Sequence, residues 1–186
     1  MSKKRLNFKI IVIGDGGVGK TSLIKQFTQG AFENDYVKTI GAQFSKFSKD
    51  INGDKIKLIF WDIAGQDDFL FLRPSFYKDS NGAIIIYSLE ENNLGKRSFK
   101  NLKKWYEDIL KFCRVIPTVL LANKADLIEE HNLNKQEIKE VVDRKSFLGY
   151  HITSAKTGQG VIDAFDELIE FLYLEYQSNL PPTIEK

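Results

Sequence analysis

Short apolar runs alternate along the chain with stretches in which apolar residues recur every three or four positions. The first pattern predicts buried strands and the second predicts amphipathic helices. Strands are expected near residues 8–14, 42–50, 55–61, 82–88, 116–122 and 149–153. Helices are expected near residues 20–29, 67–77, 96–113, 134–146 and 160–177. Such alternation is typical of a parallel sheet covered by helices on both faces.

One pair of predicted strands departs from the alternation. Asn52-Gly53 separates the second strand from the third, and this dipeptide is typical of a two-residue hairpin turn. We therefore predict an α/β fold with a six-stranded, mostly parallel sheet, one antiparallel strand and five flanking helices. Its domain is expected over residues 7–177, between a basic N-terminal extension, residues 1–6, and a C-terminal tail, residues 178–186.

The turn after the first strand is a complete phosphate-binding loop, Gly-Asp-Gly-Gly-Val-Gly-Lys-Thr, from Gly14 to Thr21. Its glycines let several backbone N–H groups converge on one anion, and the following helix N-terminus adds positive charge there. Lys20 is expected to reach the β- and γ-phosphates, and the Thr21 hydroxyl to bind Mg²⁺. The loop residues predicted to contact nucleotide are Asp15, Gly16, Gly17, Val18, Gly19, Lys20, Thr21 and Ser22.

A dinucleotide site is the alternative interpretation of this loop. Gly14, Gly16 and Gly19 also satisfy the dinucleotide spacing, and Glu33 and Asp35 lie near the distance of a ribose carboxylate. The Lys-Thr pair after the last glycine favours a nucleoside triphosphate. A pyrophosphate that bridges two nucleosides needs neither a lysine nor a metal-binding hydroxyl.

Polar residues also follow the third predicted strand. Asp62 ends that strand and is expected to hold the Mg²⁺ water shell opposite Thr21. Gly65 allows a backbone N–H to approach a γ-phosphate, and the amide of Gln66 is placed to orient an attacking water.

The fifth strand ends in Asn123-Lys124-Ala125-Asp126. The Asp126 carboxylate can accept from a ring N–H and an exocyclic amine, a donor pair that guanine has and adenine lacks. We expect Asn123 to join the surrounding loops and the Lys124 stem to cover the base. After the sixth strand, a backbone N–H is expected to donate to guanine O6, from Ser154, Ala155 or Lys156.

Composition narrows the range of partners. A net charge of +2 gives no global field that would favour nucleic acid. Cys113 is the single cysteine, so an intrachain disulfide is excluded and a reducing, cytoplasmic setting is expected. The last residues carry no prenylation cysteine, so membrane association is expected only through a partner or a missing tail.

The chain resembles the Ras-superfamily small GTPases over about residues 7–176, and within them it is most similar to the Rab group. The motifs that carry the resemblance occur in the family order at Gly14–Thr21, Thr39, Asp62–Gln66, Asn123–Asp126 and Ser154–Lys156. The resemblance implies a P-loop NTPase fold. It also implies a monomeric switch that hydrolyses GTP slowly and acts in trafficking or signalling.

The resemblance also implies individual roles. Thr39 matches the residue that binds Mg²⁺ only when a γ-phosphate is present, and Phe32 matches the aromatic that packs against guanine. At the position of Gly16, a side chain tends to crowd the hydrolytic water. The implied catalytic residues are Gln66, Lys20, Thr39 and Gly65, the metal ligands are Thr21, Thr39 and Asp62, and the cofactors are Mg²⁺ and GTP or GDP.

The implied partners are effectors, an exchange factor and a GTPase-activating protein. Phe44, Trp61 and Phe76 match an aromatic triad that Rab effectors use, and the apolar segment Phe69–Leu72 is a second candidate contact. The segment Asp67-Asp68-Phe69 departs from the usual Rab sequence. The alternatives are a GTP-binding scaffold with negligible hydrolysis and an adenine-nucleotide kinase, for which no acceptor site is found.

Overall fold

The computed structural model describes residues 3–28, 37–39, 41–65, 71–129 and 134–179, with only the backbone described for residues 37–39. The strands are β1 (Arg5–Ile13), β2 (Val37–Thr39), β3 (Ala42–Ile51), β4 (Asp54–Ile63), β5 (Gly82–Ser88), β6 (Thr118–Asn123) and β7 (Gly149–Thr153). The helices are α1 (Lys20–Thr28), α2 (Arg73–Tyr77), α3 (Asn93–Lys100), α4 (Leu102–Cys113), α5 (Lys135–Lys145) and α6 (Val161–Ser178).

The strands form one mixed sheet in the order β2-β3-β4-β1-β5-β6-β7. Strands β4, β1, β5, β6 and β7 are parallel, whereas β3 runs antiparallel to β4. The turn between β3 and β4 has positive φ at Asn52 and Gly53, 51° and 87°, as the predicted hairpin requires. The predicted six strands and α/β fold are confirmed. The short β2, paired with β3, is a seventh strand that three residues are too few to reveal by periodicity.

One predicted helix differs from the structure. The helix expected over residues 96–113 begins earlier, at α3, because the Asn92 side chain accepts from the N–H groups of Leu94 and Gly95 and caps its first turn. It is also divided at Asn101, although backbone hydrogen bonds from Asn101 to Arg97 and from Trp105 to Asn101 cross the junction. Of the helix expected over 67–77, residues 67–70 lie outside the described residues.

Two apolar clusters cover the faces of the sheet. On one face, β1 and its neighbours pack against α1 and α6, where Phe27 stacks on Phe165 with ring centroids 4.5 Å apart. On the other, Trp105 and Ile109 of α4 pack against β1 and β5. The central strands are therefore buried on both faces, which explains their continuous apolar sequences. Among the helices described, none is both long enough and apolar enough to cross a membrane.

The parallel strands bring their following loops together. The carboxyl ends of β1, β4, β6 and β7 lie at one edge of the sheet because these strands run in the same direction. Ligands of open α/β sheets bind at this edge. All the motifs selected from the sequence after these strands therefore converge there.

Candidate nucleotide-binding site

The loop between β1 and α1 has the backbone shape of an anion cradle. Gly14, Gly17 and Gly19 have φ values of 143°, 83° and 102°, which side chains disfavour. A Cβ at Gly14 would collide with the carbonyl oxygen of Ile86, and one at Gly19 with the Asn123 amide. The chain therefore needs glycine at both positions to fold the loop this way.

Lys20 is held inside this loop. Lys20 is 8% exposed, and its Nζ donates to the backbone oxygens of Gly14 at 3.0 Å and Asp15 at 2.9 Å. Burial lowers the pKa of Lys20, and the nearby carboxylates of Asp62 and Asp15 act in the opposite direction. A phosphate that entered the loop would give this desolvated ammonium an anionic partner.

Thr21 and Asp62 meet beside Lys20. The Thr21 hydroxyl donates to the Asp62 carboxylate, although the two residues come from α1 and β4. Burial raises the pKa of Asp62, while the hydrogen bond from Thr21 and the charge of Lys20 oppose that rise. Hydroxyl and carboxylate oxygens are the donors that Mg²⁺ prefers, so this pair fits the implied ion.

An ion at this pair would need further ligands beside the two side chains. No group of three or more His, Cys, Asp or Glu side chains that could hold a metal exists within the described ranges. Mg²⁺ usually keeps several waters and binds substrate phosphates together with one or two protein oxygens. The Thr21 hydroxyl and the Asp62 carboxylate fit that pattern.

Gly65 lies directly against the phosphate-binding loop. A Cβ built on Gly65 would be 2.5 Å from both the Gly14 oxygen and the Gly16 nitrogen. The backbone after β4 can come this close only because residue 65 has no side chain. Of the other residues that the family resemblance implies for the site, Thr39 is described as backbone only, and Phe32 and Gln66 lie outside the described residues.

Asn123 joins the loops of the site. Its Nδ2 donates to the backbone oxygen of Val18 at 2.8 Å. Its Oδ1 accepts from the Ala155 N–H at 3.2 Å and from the Thr153 hydroxyl at 3.3 Å. Because Asn123 is 1% exposed, these contacts fix the phosphate-binding loop relative to the loops after β6 and β7. This linking role agrees with the sequence prediction for Asn123.

A cavity of about 420 Å³ opens between these loops. It is lined by Gly19, Ser22, Asn123, Lys124, Asp126, Leu127, Ala155 and Lys156. The Asp126 side chain is 14% exposed, and its Oδ1 accepts from the Ser154 hydroxyl at 2.6 Å. The Lys156 ammonium lies 3.8 Å from Asp126 Oδ2. The cavity thus presents a carboxylate beside the phosphate-binding loop, as a guanine site requires.

The position of Lys124 depends on a residue that the sequence reasoning did not assign to the site. Lys124 adopts the left-handed conformation, with φ of 71°, and its ammonium pairs with Glu90 after β5. Hydrogen bonds from Lys124 and from the Ser88 hydroxyl lower the pKa of Glu90. In the sequence, Glu90 stands out only as a residue just past the end of the strand predicted over residues 82–88.

The Asp15 side chain is also held by residues that sequence reasoning missed. Its carboxylate accepts from Trp105 Nε1 at 2.9 Å, from Asn101 Nδ2 at 2.8 Å and from Arg97 Nε at 3.2 Å. Asn101 and Trp105 are four residues apart, the spacing of one helix face, yet nothing in the sequence ties that face to the loop. Asp15 therefore anchors the loop to α3 and α4 with its side chain.

A larger cavity adjoins the site at Ser88 and Glu90. It measures about 650 Å³ between α3 and α5 and is lined by Tyr87, Phe99, Ile138 and neighbouring residues. None of the residues selected from the sequence lines it. Cavity size alone would therefore have pointed away from the convergent polar groups, which are the stronger indicator of function.

The chain matches the sequence profile of the Ras family over residues 9–173. It belongs to the Ras family. The family assignment and the expectation of a small GTPase, an enzyme that hydrolyses GTP, are thereby confirmed. Membership implies binding of GTP, GDP and Mg²⁺, and partners that exchange nucleotide, stimulate hydrolysis or act as effectors.

Several relatives of this Ras-family chain are named as Rab proteins. It is 33% identical to Ras-related protein Rab-13 of Bos taurus over 96% of this chain and 89% of the bovine protein. Identity to Ras-related protein Rab-21 of Homo sapiens is 34%, covering 87% and 70% of the two chains. For Ras-related protein Rab-30 of Homo sapiens the values are 36%, 92% and 83%. The similarity to the Rab group thus covers most of the chain.

Substitutions at two glycines of the loop are expected to have different effects, one on the rate of hydrolysis and the other on the stability of the fold. A Cβ on Gly16 meets no atom within 4 Å, so Gly16→Val is expected to fold normally. It should slow hydrolysis by about 10- to 100-fold by crowding the attacking water. Gly19→Val should instead lose about 1–3 kcal/mol of stability through backbone strain alone, and nucleotide binding with it. Thermal denaturation and single-turnover phosphate release distinguish them, and matching behaviour of the two variants would contradict this assignment.

Proposed function

We propose that the protein is a guanine-nucleotide switch that binds GTP with Mg²⁺ and hydrolyses it slowly to GDP and phosphate. The observation that carries the proposal is the Asn123 side chain. It bonds to Val18 in the phosphate-binding loop and to Ala155 after β7. Gly19 of the phosphate-binding loop and the Asp126 carboxylate thus line one cavity.

The phosphate end of the site uses groups from three elements. The loop N–H groups, Lys20 and the Gly65 N–H stabilise charge on the β–γ bridge and the γ-oxygens. Thr21, Thr39 and Asp62 would hold the Mg²⁺ ion. When bound, Mg²⁺ neutralises charge that develops on the phosphate oxygens. Gln66 orients the water that attacks the γ-phosphate.

The base end recognises guanine through the same carboxylate that the Ser154 hydroxyl positions. Asp126 accepts from the ring N–H and the amine of guanine, and an Ala155 or Lys156 N–H donates to O6. The Lys124 stem, held by Glu90, covers one face of the base. Adenine has no matching pair of N–H donors for the largely buried Asp126 carboxylate, so it forfeits both of these hydrogen bonds and is rejected.

The switch acts through its partners. Phe44, Trp61 and Phe76 lie in one row, with ring centroids 5.5 Å and 5.8 Å apart, and Phe71 is 74% exposed. We assign effectors, the exchange factor and the GTPase-activating protein to this surface and to the segment Phe69–Leu72, which lies largely outside the described residues. Vesicle trafficking or signalling is the setting we propose, with any membrane contact peripheral.

The rate of GTP hydrolysis tests this proposal. With no internal arginine finger assigned, turnover should be on the order of 10⁻⁴ to 10⁻³ s⁻¹. Gln66→Leu should lower it about 10- to 100-fold, because the attacking water is no longer oriented. Single-turnover phosphate release measures both. Gln136→Leu, an exposed position on α5, is the matched control and should hydrolyse GTP like the unmodified protein.

Two outcomes would change the assignment. Equal hydrolysis by Gln66→Leu and the unmodified protein would remove the water-orienting role from Gln66. Tight GTP binding with no phosphate released over a day would favour a scaffold that binds the nucleotide without turnover.

A further inference from the structure

Arg73 begins α2 and is buried, at 1% exposure, although sequence reasoning gave it no role. Its Nη1 donates to Asp108 Oδ2 on α4 at 2.9 Å. The carbon of its guanidinium lies 4.3 Å from the centroid of the Trp105 ring, so the cation stacks on the indole. Arg73 therefore ties α2 to α4 through a charge pair and a ring contact.

Two nitrogens of this guanidinium have no hydrogen-bond partner among the described residues. Nε and Nη2 of Arg73 are buried, and neither has a hydrogen-bond partner in the part of the chain that the structure describes. Arginine cannot lose its proton, so buried donors without acceptors are unfavourable. A movement of α2 that brought these nitrogens to acceptors would therefore be favourable.

Trp105 also contacts the phosphate-binding loop. The ring that stacks on Arg73 also donates from Nε1 to Asp15 Oδ1 at 2.9 Å. The backbone oxygen of the same Asp15 accepts from Lys20. A continuous path of contacts therefore runs from α2, through one indole ring, to the loop that is proposed to hold the phosphates.

We propose that Arg73 is a positioning residue that couples α2 to the phosphate-binding loop through the Trp105 ring and its hydrogen bond to Asp15. The inference rests on the proposed nucleotide site. The helix α2 follows the segment that carries Gln66. Since Arg73 is part of α2, a displacement of this helix changes the stack on Trp105 and with it the hydrogen bond that supports Asp15. By linkage, the bound nucleotide biases the position of α2 to the same extent.

The test is a double-mutant cycle on nucleotide release. Arg73→Gln removes the charge and the stack, whereas Trp105→Phe keeps an aromatic ring and removes only the donor to Asp15. Release of a fluorescent mant-GDP is followed in both single variants and in the double variant. Each single change should alter the dissociation rate about three- to tenfold, and the double change no more than the larger single one. Effects that multiply in the double variant would overturn the coupling.

A matched control separates coupling from loss of an arginine in general. Arg144→Gln removes an exposed arginine, paired at 3.2 Å with Glu140 on α5, and should leave the dissociation rate within about twofold. If Arg73 only held the fold together, Arg73→Gln would lower the melting temperature and leave nucleotide release unchanged. That result would overturn the proposal. Should Arg73→Gln not fold, Arg73→Lys keeps the charge beside Asp108 and removes the planar stack.

Trp105 offers a second readout, since the chain has two tryptophans. In a Trp61→Phe background, Trp105 emission should differ between GDP and a non-hydrolysable GTP analogue, and Arg73→Gln should abolish the difference. Identical emission in both nucleotides would overturn the coupling. Failure of the unmodified protein to bind mant-GDP would contradict the nucleotide site itself, whereas normal binding with unaffected variants would contradict only the role of Arg73.

Discussion

Lys20→Met is expected to lower the affinity for GTP and GDP by roughly 10²- to 10⁴-fold. Lys20 is proposed to make charge-assisted hydrogen bonds to two phosphates, each worth about 1.5–3 kcal/mol, and methionine makes neither. Equilibrium titration with mant-GDP and mant-GTP measures the loss. The methionine side chain is similar in length, so the loop keeps its packing.

Folding should be much less affected than binding. The substitution removes two hydrogen bonds to the Gly14 and Asp15 oxygens, but it also removes a charge whose burial is unfavourable. These opposing effects should keep the change in unfolding free energy of the nucleotide-free protein within about 2 kcal/mol. Lys103→Met is the matched control, because its side chain is 77% exposed. If the control lost as much affinity as Lys20→Met, the assignment of Lys20 to the phosphates would be wrong.

Asp126→Asn is expected to weaken GTP binding by roughly 10²- to 10⁴-fold, because two charge-assisted hydrogen bonds to guanine are lost. The new amide should instead favour xanthine, which carries an oxygen where guanine has its amine. Competition of mant-GDP by GTP and by xanthosine triphosphate should therefore show reversed preferences in the variant. The Ser154 hydroxyl can still donate to the amide oxygen of the new side chain, so the local fold should persist.

Inosine triphosphate isolates one of these two hydrogen bonds. It lacks the exocyclic amine, so the unmodified protein should bind it about 10-fold or more weakly than GTP. In Asp126→Asn that difference should shrink. Asp143→Asn, on the exposed face of α5, should keep the original preference for GTP. Equal binding of inosine and guanosine triphosphates by the unmodified protein would show that Asp126 does not read the amine.

Local sequence signals were most informative where one residue type has one physical use. Asn52-Gly53 predicted the hairpin because few residues tolerate positive φ at both turn positions. The apolar stripe of α6, including Phe165, Leu168 and Ile169, predicted a helix that packs on the sheet, and those residues are fully buried. The glycine spacing of the loop predicted the cradle that Gly14 and Gly19 form.

The sequence was less informative where a residue acts through a distant partner. The break at Asn101 leaves the apolar period intact, so periodicity cannot reveal it. Arginine side chains are usually exposed to solvent, yet α2 buries Arg73 against Trp105. Glu90 and Lys124 are 34 positions apart, and only the pairing of β5 with β6 brings them together.

The sequence alone determined the α/β fold and the family, and it supplied the phosphate-binding loop and the carboxylate that we propose for guanine. Each of these depends on residues close together in the chain or on a simple periodicity. The tertiary structure decided how these parts cooperate. It placed Asn123 between the loops, gave Asp15 its three donors and joined Arg73 to the phosphate-binding loop through Trp105. Such contacts join residues 30 to 105 positions apart, so they arise only when the sheet and its helices have packed.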